Sequence, residues 1–156
     1  MADIEIPNFG ELLADHLGGV DADALPFLLS QLERTAADRY RHWAEEVPEQ
    51  REGLLACAAS EDEIADRAEA LFPPSDAHRA QVAAMIGAAK AAYYAVFDGL
   101  SPAEQMAIQA GAERQGANAW KGLEATHPGA AEELDAMSTL ETQSADYLDG
   151  ILGELS

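Results

Sequence analysis

Sliding the chain eighty residues along itself sets residues 33–72 against residues 113–152, and ten of those forty positions are identical. The matches include Glu33/Glu113, Arg34/Arg114, Pro48/Pro128, Leu54/Leu134, Glu61/Glu141 and Asp66/Asp146. Self-similarity at a fixed offset means that one supersecondary unit is used twice, and this constrains the architecture more than any local propensity. The paired prolines show what the unit is. Each falls in a break, EEVPEQ or ATHPGA, between two stretches of helical periodicity, and proline cannot continue a helix. Each repeat reads as a helical hairpin, over 23–46 and 49–72 in the first copy and over 101–126 and 129–152 in the second.

The register holds upstream of the matched segment. Asp21 aligns with Ser101, and SPAE at 101–104 reads as a capping box with proline at the first helical position. Between the repeats, PPSDAHRAQVAAMIGAAKAAYYAVFDGL opens on a proline pair that ends the preceding helix. It then carries an apolar stripe at Val82, Met85, Ile86, Ala89, Tyr93 and Phe97, which predicts a crossover helix near 78–98. NFGELLADHLGG at 8–19 predicts a short helix ending at the glycine pair. The apolar content is mostly Ala and Leu, and no β-branched run alternates with period two, so strands have no support. At 156 residues and 48% apolar composition the expectation is a single all-α domain spanning 1–156. Two hairpins make a four-helix bundle, with repeat one at about 21–72, the crossover at 73–100 and repeat two at 101–152.

Within CAASEDEIADR at 57–67 and MSTLETQSADY at 137–147, a repeated glutamate stands on the apolar side of its helix. Leu54, Cys57, Ala58, Ile64, Ala65 and Ala68 share a face with Glu61. Leu134, Met137, Ser138, Ser144, Ala145 and Leu148 share one with Glu141. The first helix of each hairpin repeats the arrangement: Glu33 lies among Leu29, Ala36, Ala37 and Tyr40, and Glu113 among Ala110, Gly116, Ala117 and Trp120. Both members of this second pair stand 28 residues before their partners, a spacing that lets a hairpin bring Glu33 level with Glu61 and Glu113 level with Glu141. Four anions in an apolar core require compensation by cations or protons. Oxygen-only sets suit hard ions such as Mg²⁺, Mn²⁺ and Ca²⁺, and Fe³⁺ also favours carboxylate. The other solution is that the glutamates are kept neutral, or are paired with Arg34, Arg114 or other groups.

Over about 21–152 the chain resembles the ferritin-like superfamily, rubrerythrin and bacterioferritin relatives included. That bundle carries a Glu on each of two helices and a Glu-x-x-His on each of the other two. The resemblance implies that Glu33, Glu61, Glu113 and Glu141 are metal ligands for iron or manganese, with oxidase or peroxide-handling chemistry. The two histidine positions hold Ile64 and Ser144, neither of which replaces an imidazole. His16, His42, His78 and His127 stand at no matching position and are expected in surface or partly buried structural roles. The departure leaves a second reading, a non-catalytic ferritin-like scaffold or binding module that has lost its metal site.

Other residue types near the glutamates read as packing. Tyr40 and Trp120, each seven residues after a core glutamate, are expected in the core rather than as radical relays. Cys57 and Met137, one turn before Glu61 and Glu141, are expected to pack rather than ligate. Glu63 and Gln143 are expected to face outward or toward a neighbouring helix. The net charge of −20, from 29 acidic against 9 basic residues, argues against nucleic acid or an anionic membrane as partner and attracts cations instead. One cysteine forbids an intramolecular disulfide and fits a reducing compartment. The acidic N-terminus lacks both the basic n-region of a signal peptide and a long apolar segment, which predicts a cytoplasmic protein. The aromatic crossover, with Tyr93, Tyr94 and Phe97, predicts a homodimer. Neither a protein nor a small-molecule partner is identified by these patterns.

Overall fold

In the computed structural model, which describes residues 3–155, six α-helices follow one another and no strand occurs among the described residues. The first is α1 (Phe9–Leu17), capped by Asn8, whose side chain accepts from the Glu11 N–H at 3.0 Å, and followed by Gly18. Next, α2 (Leu25–Glu46) stops before Pro48 and α3 (Arg51–Leu71) stops before the Pro73–Pro74 pair. Ser75 caps α4 (Asp76–Ala95) in a box closed by His78. Ser101 caps α5 (Pro102–Gly122) in a box closed by Glu104, as the S-P-A-E pattern requires. The last helix is α6 (Ala131–Leu155). A 3-10 turn at Pro48–Gln50 joins α2 to α3, and two, at Leu123–Ala125 and Pro128–Ala130, join α5 to α6. The repeated proline opens the turn before the second helix in each copy, while the α-helix expected to reach 126 ends at Gly122 and tightens into 3-10 geometry.

Helices α2 and α3 pack along each other, as do α5 and α6, and the two hairpins meet through α3 and α6. Helix α4 lies against α1 and α2. The result is a bundle of four long helices with α1 and α4 on its outside. Surface ion pairs preserve the eighty-residue offset. Arg34 pairs with Asp66 at 2.8 Å and Glu69 at 3.2 Å, and Arg114 with Asp146 at 3.1 Å and Asp149 at 2.6 Å. Both arginines are therefore engaged with outward-facing acids, and neither pairs with a core glutamate.

The four inward glutamates divide the interior in two. On one side, Tyr40, Trp43, Leu54, Tyr93, Phe97, Met106, Leu148 and Ile151 form the larger apolar cluster. On the other side, Ile64, Ala68, Trp120, Leu134 and Met137 form a smaller one. Phe27, Leu28 and Val82 fill the space beneath α4. The aromatic residues that pointed to a homodimer are turned inward: Tyr93 and Phe97 are buried and Tyr94 is half-buried, because α4 uses that stripe against its own bundle. Among the described residues no helix is long and apolar enough to cross a membrane.

Candidate metal centre

Each long helix brings one glutamate to the dividing layer: Glu33 from α2, Glu61 from α3, Glu113 from α5 and Glu141 from α6. Glu61, Glu113 and Glu141 are buried, and Glu33 keeps partial exposure because it lines a cavity that reaches the surface. Glu33, Glu61 and Glu141 each offer one oxygen, and these oxygens all lie within 4.8 Å of one another. The fourth carboxylate stands outside that trio. Its Oε1 accepts from the Tyr40 hydroxyl at 2.8 Å and from Gln109 Nε2 at 2.6 Å, and the Gln109 carbonyl in turn accepts from the Tyr93 hydroxyl at 2.6 Å. Across the layer, Trp120 Nε1 donates to Glu33 Oε1 at 3.0 Å.

The trio is short of donors. Among the described residues no N–H or hydroxyl donor reaches either oxygen of Glu61 or Glu141 Oε1, although buried polar groups are nearly always paired with a donor. The hydrogen-bond neighbours of these groups are the other carboxyls, Glu33 and Glu113 for Glu61 and Glu113 for Glu141. Gly116 leaves the room that Glu141 occupies: a Cβ there would stand 2.7 Å from Oε1. Burial, ahead of every other cause, pushes the Glu33, Glu61 and Glu141 carboxyls above their ordinary range. The neighbouring carboxylates raise Glu61 and Glu141 further, with Glu113 acting most on Glu61 and Glu33 most on Glu141. Such a layer is stable only with protons on it or with a cation among its oxygens. Burial and the adjacent Glu113 also push the Tyr40 phenol well above its ordinary value, so Tyr40 remains a donor.

The positions three residues after Glu61 and Glu141 supply no nitrogen. Ile64 is fully buried in apolar packing. Ser144 is buried beside the Cys57 sulfur, and desolvation chiefly pushes that thiol up to about 12. Met137 is core, while Glu63 and Gln143 are exposed. None of the histidines reaches the layer: His42 pairs with Glu46 at 3.4 Å, His78 closes the α4 cap, exposed His127 stacks edge-on against Phe72, and His16 is half-buried on α1. Tyr40 and Trp120 are core residues and also hydrogen-bond to the glutamates, a role that periodicity alone does not reveal. Gln109 stands one turn before Glu113 on the same helix, so its bond to that carboxylate is an i, i+4 contact. The Tyr93 hydroxyl from α4, which fixes the orientation of the Gln109 amide, is a partner only the packing of α4 supplies.

Comparison with protein-family models, with characterised proteins and with solved structures finds no match to this chain.

Proposed function

We propose that the glutamate layer is a carboxylate-only metal centre in a bundle of ferritin-like type, with Glu33, Glu61 and Glu141 as the primary ligands and Glu113 as the fourth carboxylate. The observation that carries this reading is the trio of converging oxygens together with the fully buried carboxylate of Glu61, whose neighbours are other carboxyls and no N–H or hydroxyl donor. Oxygen donors suit hard cations, and the set fits Mn²⁺ or iron without imidazole help, with weaker retention of Fe²⁺ than a histidine-bearing site has. Bound there, iron or manganese would supply redox chemistry toward oxygen or peroxide. The chain's own residues do the rest. Glu61 and Glu141 bring negative charge that no protein cation neutralises, Trp120 orients Glu33, and Tyr40 and Gln109 hold Glu113 at a set angle. The apolar clusters on either side leave the cavity beside Glu33 as the way by which water or a small molecule reaches the layer.

A second reading, a ferritin-like scaffold whose carboxylates are held neutral by protons, is favoured by Ile64 and Ser144 at the two histidine positions. Metal analysis of protein purified without chelator, joined to calorimetric titration with Mn²⁺ and an absorbance titration with Fe²⁺ in air, separates the two. A metal centre binds Mn²⁺ stoichiometrically, and Glu61→Gln with Glu141→Gln abolishes that binding. Protein that carries only traces of metal, binds no Mn²⁺ and develops no ferric band is the scaffold.

A further inference from the structure

A cavity of about 470 Å³ lies between α2 and α5 and ends on the glutamate layer, where Glu33, Glu113 and Glu141 form part of its wall. The remaining wall is mainly apolar: Phe9, Leu13, Leu29, Leu32, Ala36 and Ala112 all face it. An engineered apolar cavity of about 150 Å³ stays dry and accepts benzene. This one is about three times as large, with room for a two-ring aromatic or a medium-length alkyl chain.

Its outer wall comes from the chain's own N-terminal segment. Gln115 on α5 clamps that segment by accepting from the Phe9 N–H at 2.8 Å and donating to the Pro7 carbonyl at 2.8 Å. Ile6 seats against Gly111, where any Cβ would collide with it. Phe9 and Leu13 of the following helix are buried and line the cavity. These contacts give a lined cavity, open to the surface, with one polar end. At that end Glu141 Oε1 is buried without an N–H or hydroxyl donor.

We propose that this cavity binds a neutral, apolar organic molecule, held by the α1, α2 and α5 walls with one end at the glutamate layer. Charge decides against the obvious competitor. A fatty acid would carry its carboxylate into a cavity whose described lining holds no lysine, arginine or histidine, in a chain of net charge −20, whereas an alcohol or a hydrocarbon needs no such partner. The proposal deepens the metal reading, on which the bound molecule is what the centre acts upon, but binding itself is measured separately.

The experiment uses the full chain and N-phenylnaphthylamine, a neutral two-ring fluorophore. The expected result is saturable, one-to-one enhancement of its emission, displaced by decanol and not by decanoate, and lost in Ala112→Phe and in Leu32→Trp, which fill the chamber from opposite walls. Circular dichroism confirms that a variant is folded, and Mn²⁺ binding is titrated on the same samples. Enhancement that fails to saturate, or that persists unchanged in both folded variants, places the fluorophore on the surface and overturns the proposal, as does equal displacement by decanoate. A chain that binds the fluorophore but no Mn²⁺ keeps the chamber and loses the metal centre. One that binds Mn²⁺ but no fluorophore keeps the centre and loses the chamber.

Discussion

Tyr40 on α2 donates its phenolic hydrogen to Glu113 on α5, at 2.8 Å, while Trp120, the residue eighty positions after Tyr40, donates to Glu33 at 3.0 Å. Each aromatic stands seven residues after its own hairpin's glutamate and reaches the glutamate of the other hairpin. This exchange is the relation expected when two copies of one hairpin face each other. It ties the halves of the bundle together at the depth where the core is most polar.

Removing one of these donors tests that tie. Tyr40→Phe leaves Glu113 Oε1 with Gln109 alone, and loss of a buried hydrogen bond to an acid costs about 1–3 kcal/mol. Urea unfolding is expected to show a loss of that size for Tyr40→Phe. An unchanged midpoint would mean that the hydroxyl contributes packing only.

Chelated protein is expected to be less stable at pH 8 than at pH 5.5. The folded carboxyls of Glu33, Glu61 and Glu141 are raised above their unfolded value, which is about 4.3 for glutamate. Below about pH 4.3 the group is protonated in both states and its contribution is intact. As pH rises from there through the folded values, the unfolded chain gives up protons that the folded one retains, and stability falls. Urea midpoints in EDTA at the two pH values check the sign. Mn²⁺ is expected to flatten the dependence, and Glu61→Gln with Glu141→Gln is expected to exceed wild type in EDTA at pH 8. A double variant less stable than wild type under those conditions would show that the carboxylates are structural anions.

Gly116→Ala sets two effects against each other. A helical Ala gains about 1 kcal/mol over Gly in propensity, yet its Cβ would meet Glu141 Oε1 at 2.7 Å. The Glu141 carboxyl must then shift, which moves its oxygen relative to Glu33 and Glu61. Calorimetric titration is expected to show Mn²⁺ affinity weakened by about tenfold or more, which is about 1.4 kcal/mol, without a matching fall in thermal stability. Wild-type affinity in this variant would take Glu141 out of the ligand set.

Cys57 is expected to resist alkylation by iodoacetamide at pH 8. Its thiol is buried and pushed up to about 12, so the reactive thiolate is scarce. Modification followed by mass spectrometry should track the urea unfolding curve. Rapid stoichiometric labelling of native protein would contradict the buried position.

The sequence by itself determined the helices, their breaks and the inward direction of the four glutamates. All of these follow from local rules: 3.6 residues per turn sets the face, and proline and capping residues set the ends. Ser101 and Glu104 close their box within four residues of chain, and Pro48 and Pro128 each open a 3-10 turn in the break between two helices, wherever the chain goes next. Tertiary structure alone decided the partners. Nothing local to Tyr40 names Glu113, 73 residues away, and nothing local to Gln115 names Pro7 or Phe9. The same holds for the inward turn of Tyr93 and Phe97, whose stripe is equally suited to a second chain until α4 lies down on α2. The cavity is the extreme case. It is space left where α2 and α5 are not filled in by side chains, and empty space has no residue to encode it, only the mutual fit of helices distant along the chain.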